Sequence, residues 1–382
     1  MSSEFGRALK IQIFGASHGR AIGVTADGLP AGEHIDEEEL YRFMCRRRPG
    51  ASPLSTARSE KDRPVFLSGL EDGMTSGSPL CAVIENSDQH SADYKELIAK
   101  PRPSHADYTA RLRYGDSVDM RGGGHFSGRL TAPICVIGGI AKQILERRGI
   151  FIGAHLKSVG SAEDASFPLY PDKELFDSVA AKPIPAISDE AASAMESEIL
   201  AAKADLDSVG GIIECAAVGM PAGLGSPMFD GIENRLAAAL FGVPAVKGVE
   251  FGAGFASAKV RGSVNNDPFV YDNGTVKTEK NDAGGILGGI TSGMPIVFRA
   301  AVKPTPSIGQ RQRTVDLSTF ENTELTITGR HDPCIALRAV PVIEAVTAAV
   351  ILDIILEEKQ DGAFGDKRKN RLCGRGSALG IS

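Results

Sequence analysis

Residues 339–356 read AVPVIEAVTAAVILDIIL, an apolar run broken only by Glu344, Thr347 and Asp353. Two acids within so short a segment are too charged for a simple membrane span. As a helix it is apolar on nearly every face, and such a helix must be covered on nearly every side. The run therefore suits a buried helix in a large core. A chain of 382 residues can supply that core as one large domain or two ordinary ones. Its 44 glycines follow no repeat, which argues for many tight loops rather than a fibre.

Periodicity predicts strands at 10–14, 22–26, 66–67, 80–85, 151–159, 211–218, 296–302 and 324–328. Helices are predicted from an Asp36 cap to Arg47, over 129–148, from Ser188 to about Lys203, over 230–241 and over 339–358. The strands come in adjacent groups rather than in a βαβ rhythm, so the reading is α+β, with no linker between halves. We expect one domain over 1–358 and a disordered basic tail over 359–382. The opening residues lack the pattern of a secretory signal.

The formal net charge is −6, against nonspecific nucleic-acid binding. It is unevenly spread. Residues 42–63 carry seven Lys/Arg against two acids, 100–129 six against three, and 161–207 three against eleven. Basic segments within an acidic chain point to a local anion site, or to solvated arginine faces. The six cysteines are scattered without a CxxC pair, which favours a reducing cytoplasmic setting and gives no zinc motif.

Five segments could carry chemistry. In IFGASHGRAIG (13–23), His18 sits between glycines and is either a general acid or base or an ordinary turn histidine. In RRRPGASPLSTARSEKDRP (46–64), the arginine forks match phosphate or carboxylate oxygens, although a helix C-terminus also favours cations. RPSHADY (102–108) and RGGGHFSGR (121–129) place His105 and His125 beside arginines, and the glycines could form an anion nest. NDAGGILGGITSGMP (281–295) is followed by KPTPS (303–307), where Lys303, Thr305 and Ser307 could hold a phosphate. GRHDPCIALRAVP (329–341) sets a His-Asp pair between two arginines, with Pro333 holding Asp332 extended. Arginines beside these histidines oppose a bound divalent metal, and no metal-ligand spacing occurs among them.

With FGASHG, RRRPG, RPSHADY, RGGGHFSGR, DSVGG, GMPAGLGSPMFD, AVKGVEFG, AGGILGGITSG, KPTPS and RHDPC in this order, the chain resembles the chorismate synthase family from its start to about residue 358. The resemblance implies a β-α-β sandwich with long central helices between antiparallel sheets, assembled as a homotetramer. It implies conversion of 5-enolpyruvylshikimate 3-phosphate to chorismate by 1,4-anti elimination of phosphate, with reduced FMN required and no net redox change. NADPH is a candidate reductant. By the same resemblance His18, His105, Asp332, Ser17 and Ser127 are catalytic, His18 as the general acid and Asp332 near flavin N5. Arg47, Arg48, Arg58, Arg102, Arg129 and Arg330 bind substrate. His125, Phe126, Ser127, Gly288, Lys303, Pro304, Thr305, Pro306, Ser307 and Arg330 hold FMN, and no metal is required. No membrane or nucleic-acid partner is expected. Ala16 stands where the family usually has glutamate, Ser104 where it usually has glycine, and RGGGHFSGR replaces a commoner form. The other classes in view are a net flavin oxidoreductase, which would consume one reductant per turnover, and an anion- or flavin-binding protein without turnover.

Overall fold

The structure, a computed structural model, describes residues 3–50, 54, 60–87, 99–327 and 332–360. Two five-stranded antiparallel sheets enclose helices. The first contains Glu4–Phe5 (β1), Lys10–Gly15 (β2), Ala21–Asp27 (β3), Val65–Ser68 (β4) and Leu80–Glu85 (β5), in the order β1-β2-β3-β5-β4. The second contains Phe151–Val159 (β6), Ala162–Glu163 (β7), Gly211–Val218 (β8), Val246–Phe251 (β9) and Ile296–Val302 (β10), in the order β9-β10-β8-β6-β7. The helices are Glu37–Arg47 (α1), Asp107–Tyr114 (α2), Thr131–Glu146 (α3), Lys173–Ala180 (α4), Asp189–Ala204 (α5), Ile232–Leu240 (α6) and Ala336–Gln360 (α7), with one further turn at Gly262–Asn265.

Helices α3 and α7 pack on each other between the sheets, α3 against β3 and β5, α7 against β6 and β8. Gly138 and Gly139 make the helix contacts close. A Cβ on Gly138 would lie 2.4 Å from Ala345 Cα, and one on Gly139 2.5 Å from Leu40 Cδ1. Each glycine costs about 1 kcal/mol of helix propensity relative to alanine, and the intimate packing offsets it. Helix α7 is long and apolar enough to cross a membrane, but 94 % of its apolar window is buried inside the protein. Its two acids have cations. Arg46 grips Glu344 with contacts of 2.6 and 2.9 Å, and Arg235 Nη2 lies 2.5 Å from Asp353. Asp353 also accepts the backbone N–H groups of Arg7, Ala8 and Leu9 at 2.7–3.1 Å.

Predicted strands at 151–159, 211–218 and 296–302 coincide with β6, β8 and β10. Asp36 and Ser188 cap their helices as expected, accepting from Glu39 N and Ala191 N. The helix predicted from 129 starts at Thr131, because Gly128–Leu130 forms a separate 3-10 turn capped by Ser127. The last helix starts earlier than predicted and runs through Pro341. The strand predicted at 324–328 is Glu321–Thr326, half of a hairpin with Arg311–Asp316. Helices α2 and α4 and strand β9 were not anticipated.

Candidate active site

A cavity of about 840 Å³ opens where the first sheet, the start of α3, and the loops before α2, after β10 and before α7 meet. Its cationic lining residues are Arg47, Arg102, Arg129, Lys247, Lys303 and Arg338, against the acids Glu4 and Asp332. His105, His125, Phe126, Ser127, Thr305, Pro306 and Ser307 also line it. The unevenly placed arginines of the sequence thus come together in space.

The turn between β2 and β3 carries Ser17 and His18, both buried. Gly15, with φ of 96°, lets the chain enter this turn, since a Cβ there would lie 2.4 Å from Ala21 O. Neither Ser17 nor His18 is in the cavity wall itself. They lie directly behind Gly122, which is: a Cβ at Gly122 would sit 2.3 Å from the His18 ring and 2.8 Å from Ser17 Oγ. Gly122, Gly123 and Gly124 all have positive φ. A Cβ on Gly123 would lie 3.2 Å from His105 Nε2. These glycines let two histidines approach the backbone closely.

His105 Nδ1 lies 2.7 Å from Asp107 Oδ1, while Arg102 binds Asp107 through Nε and Nη2, both at 2.7 Å. Arg102 Nη2, which only donates, also lies 3.0 Å from His105 Nδ1, so Asp107 and Arg102 together hold the ring and leave Nε2 toward the glycine wall. Burial alone would raise the Asp107 pKa, but hydrogen bonds and charge from Arg102 and His105 outweigh it and hold the carboxyl well below its ordinary range. Arg102 Nη1 reaches Ser307 Oγ at 3.2 Å.

Arg129 and Arg47 share one buried carboxylate. Asp62 Oδ2 is 2.7 Å from Arg47 Nη1, and Asp62 Oδ1 accepts from Arg129 Nη1. Burial would raise the Asp62 pKa, yet the two guanidiniums lower it overall. Burial, joined by the charges of Arg338 and Arg129, pushes Arg47 down to about 10, so it remains a cation at neutral pH. Arg47 also binds Thr131 Oγ1 and Gly128 O, both at 3.0 Å. It is occupied in the wall, whereas Arg129 Nη2 is buried without a hydrogen-bond partner among the described residues.

Lys303 donates to Ser104 O at 2.6 Å, and its pKa is lowered by burial and then by Lys247. Ser104 has φ of 59°, a left-handed conformation that glycine adopts without penalty. Thr305 Oγ1 is buried without a partner among the described residues. Asp332 Oδ2 lies 2.5 Å from Arg338 Nη1, whose Nε donates to Arg47 O at 3.0 Å. His125 is turned toward the N-terminal strands. Nδ1 donates to Gly15 O at 2.7 Å, and Nε2 lies 2.6 Å from Ser3 Oγ. Phe126 contacts Tyr114 with ring centroids 6.3 Å apart.

Arg48, Pro304 and Gly288 are not in the cavity lining. Arg48 Nη1 points toward Tyr41 OH at 3.5 Å, and Gly288 sits in the ribbon formed by Ile286–Leu287 and Ile290–Thr291. Arg58 and Arg330 lie outside the described residues. Sequence reasoning missed Asp62, Asp107 and Lys247, whereas Arg338, one of the two arginines flanking the His-Asp pair in sequence, is the partner of Asp332. Of the five acids in the two cationic segments, Glu60, Asp62 and Asp107 are buried with the arginines, whereas Asp116 and Asp119 are exposed, so position in a cationic segment alone does not pick out the site acids. Lys247 is the extra residue at a register shift between β9 and β10, a device that re-aims side chains.

Layers of antiparallel sheet around buried helices, with this cationic cavity between loops, define an α+β protein with a cationic site of small-molecule size. A chorismate synthase family model matches residues 9–356. Chorismate synthase of Pyrococcus abyssi is 48 % identical over 361 residues, covering 92 % of this chain and 97 % of that one. That of Lancefieldella parvula is 43 % identical over 380 residues, covering 96 % and 100 %. A crystal structure of chorismate synthase superposes with a TM-score of 0.73 at 29 % identity, covering 93 % of both chains. The chain belongs to the chorismate synthase family. Its activity is that of the family, and it is a carbon–oxygen lyase.

Proposed function

We propose that the cavity binds 5-enolpyruvylshikimate 3-phosphate together with reduced FMN, and that phosphate leaves by 1,4-anti elimination to give chorismate. The observation that carries this reading is the cationic lining with two buried donor atoms, Arg129 Nη2 and Thr305 Oγ1, that have no hydrogen-bond partner among the described residues, Glu60 Oε2 standing 3.9 Å from Nη2. Unpaired buried donors are costly, and anionic oxygens are their natural complement. The volume lies within the usual range for a ligand site.

Lys303, Thr305 and Ser307 have the chemistry to hold the FMN phosphate, beside Phe126 and Ser127. Reduced FMN would supply an electron-rich ring against the reacting substrate, with no net redox change. Arg129 and Arg102 bind substrate anions, with Arg58 and Arg330 further ligands in this reading; Arg47 fixes Asp62 behind them, and Arg48, turned toward Tyr41, takes no part at the wall. His18, one glycine behind the wall, donates a proton to the departing phosphate. Asp332, held by Arg338, receives the proton that the substrate loses. His105 presents Nε2 as a proton-holding group, its ring fixed by Asp107 and Arg102.

The reading extends to a cytoplasmic homotetramer with NADPH as a reductant. Exposed Phe229, Phe255 and Tyr271 support contact between copies. The test is an anaerobic assay with photoreduced FMN, with and without NADPH. Chorismate should accumulate over many turnovers per reduced flavin. One reductant consumed per product would instead establish a net oxidoreductase, and absence of product a binding protein. His18→Ala should lower turnover by about 10²–10⁴-fold, the usual range for a general acid.

A further inference from the structure

Asn86 follows β5, and its side chain joins two parts of the site. Nδ2 lies 3.1 Å from Ala16 O and 2.8 Å from Gly19 O, while Oδ1 accepts from Arg129 Nε at 3.0 Å. Its backbone N–H donates to Arg20 O at 3.2 Å. The partners settle the orientation of the amide. Carbonyl oxygens only accept and a guanidinium only donates, so a flipped amide would oppose like groups at all three contacts.

Ala16 and Gly19 bracket Ser17 and His18. The two Nδ2 hydrogen bonds therefore clamp the turn across its mouth. Few side chains can replace this pattern. Aspartate keeps the acceptor for Arg129 but has no donor for the turn. Leucine keeps the approximate volume and loses both functions. Asp62 fixes the far end of Arg129, so Asn86 determines how that guanidinium stands relative to the histidine turn.

We infer that Asn86 is a positioning residue for the lyase reaction, one amide that holds the His18 turn and the Arg129 guanidinium in a fixed relation. The inference rests on the proposed roles of His18 and Arg129. Displacement of a reacting group by about 1 Å can cost on the order of 100-fold in rate.

Asn86→Leu should lower turnover by roughly 10²-fold and weaken substrate binding. Asn86→Asp, which keeps the Arg129 acceptor, should lower turnover by about 10-fold or more with substrate affinity within about 3-fold of wild type. In a His18→Ala background, Asn86→Asp should slow turnover by no more than about 2-fold, because both changes remove one function. Imidazole resonances of His18, followed by NMR in ¹⁵N-histidine-labelled protein without ligands, should move in either variant. Wild-type turnover in Asn86→Asp, losses that multiply in the double variant, or unmoved His18 resonances would overturn the inference. Should Asn86→Leu not fold, Asn86→Asp decides alone. Wild-type turnover in His18→Ala would instead overturn the acid role of His18, and the ring resonances would still decide whether Asn86 holds the turn.

Discussion

Asp107→Asn removes the charge on which Arg102 and His105 are hung. The carboxylate accepts from Arg102 N at 3.0 Å and from Arg102 Nε, Arg102 Nη2 and His105 Nδ1 at 2.7 Å each. An asparagine retains one oxygen and turns its NH₂ toward another donor. Breaking a buried ion pair from one side costs about 3–5 kcal/mol. With an unfolding entropy of about 2.1 cal/mol/K per residue, that lowers Tm by roughly 4–6 °C in a chain of this length. Arg102 is then a buried cation near Ser307, so inorganic phosphate should raise Tm more in the variant than in wild type. The pH dependence has a definite sign. The folded Asp107 pKa lies below its ordinary 3.8, so its stabilisation is fully present above that value and is lost as pH falls through the folded pKa. Differential scanning calorimetry from pH 7 downward should therefore show the Tm gap narrowing only below about pH 4. A gap under about 1 °C at pH 7, or one that narrows above about pH 5, would refute the reasoning.

Gly122→Ala forces a Cβ into the His18 ring at a left-handed position, and should cost at least about 1–2 kcal/mol while lowering turnover; unchanged stability in urea unfolding would show that the wall yields. Arg129→Ala should weaken substrate binding by about 1.5–3 kcal/mol in calorimetry with FMN present, and unchanged affinity would remove Arg129 from the substrate site. Asp332→Asn should keep FMN and substrate binding and lose roughly 10²-fold in single-turnover rate. A wild-type chemical rate with lowered stability would make Asp332 simply the partner of Arg338.

The parts legible in sequence were those fixed by local pattern. Alternation located β6, β8 and β10, and side-chain caps located the starts of α1 and α5. The sandwich came from ordered motifs, because periodicity does not say which strands pair. Site residues divided in the same way. Histidines and arginines in glycine loops stand out by type, and many of them meet at one cavity. Their partners do not stand out. Asp62 reaches Arg129 across 67 residues and Arg46 reaches Glu344 across 298, and no spacing rule reads such distances. Gly288 and Arg48 lie apart from the cavity wall despite their motifs, since a motif carries no direction for the chain that bears it.

Asp353 was described as an acid buried near the end of α7, holding three backbone N–H groups of residues 7–9. The contact spans 344–346 positions, almost the full described chain. During synthesis, the entrance to β2 must therefore wait until the last helix has left the ribosome. Long-range closure of this kind slows folding and leaves partly built sheets open to aggregation. The first sheet, which carries the histidine turn, is thus expected to mature last although it is made first. Nascent chains arrested before residue 353 should leave residues 7–9 accessible to protease, and chains released at full length should protect them.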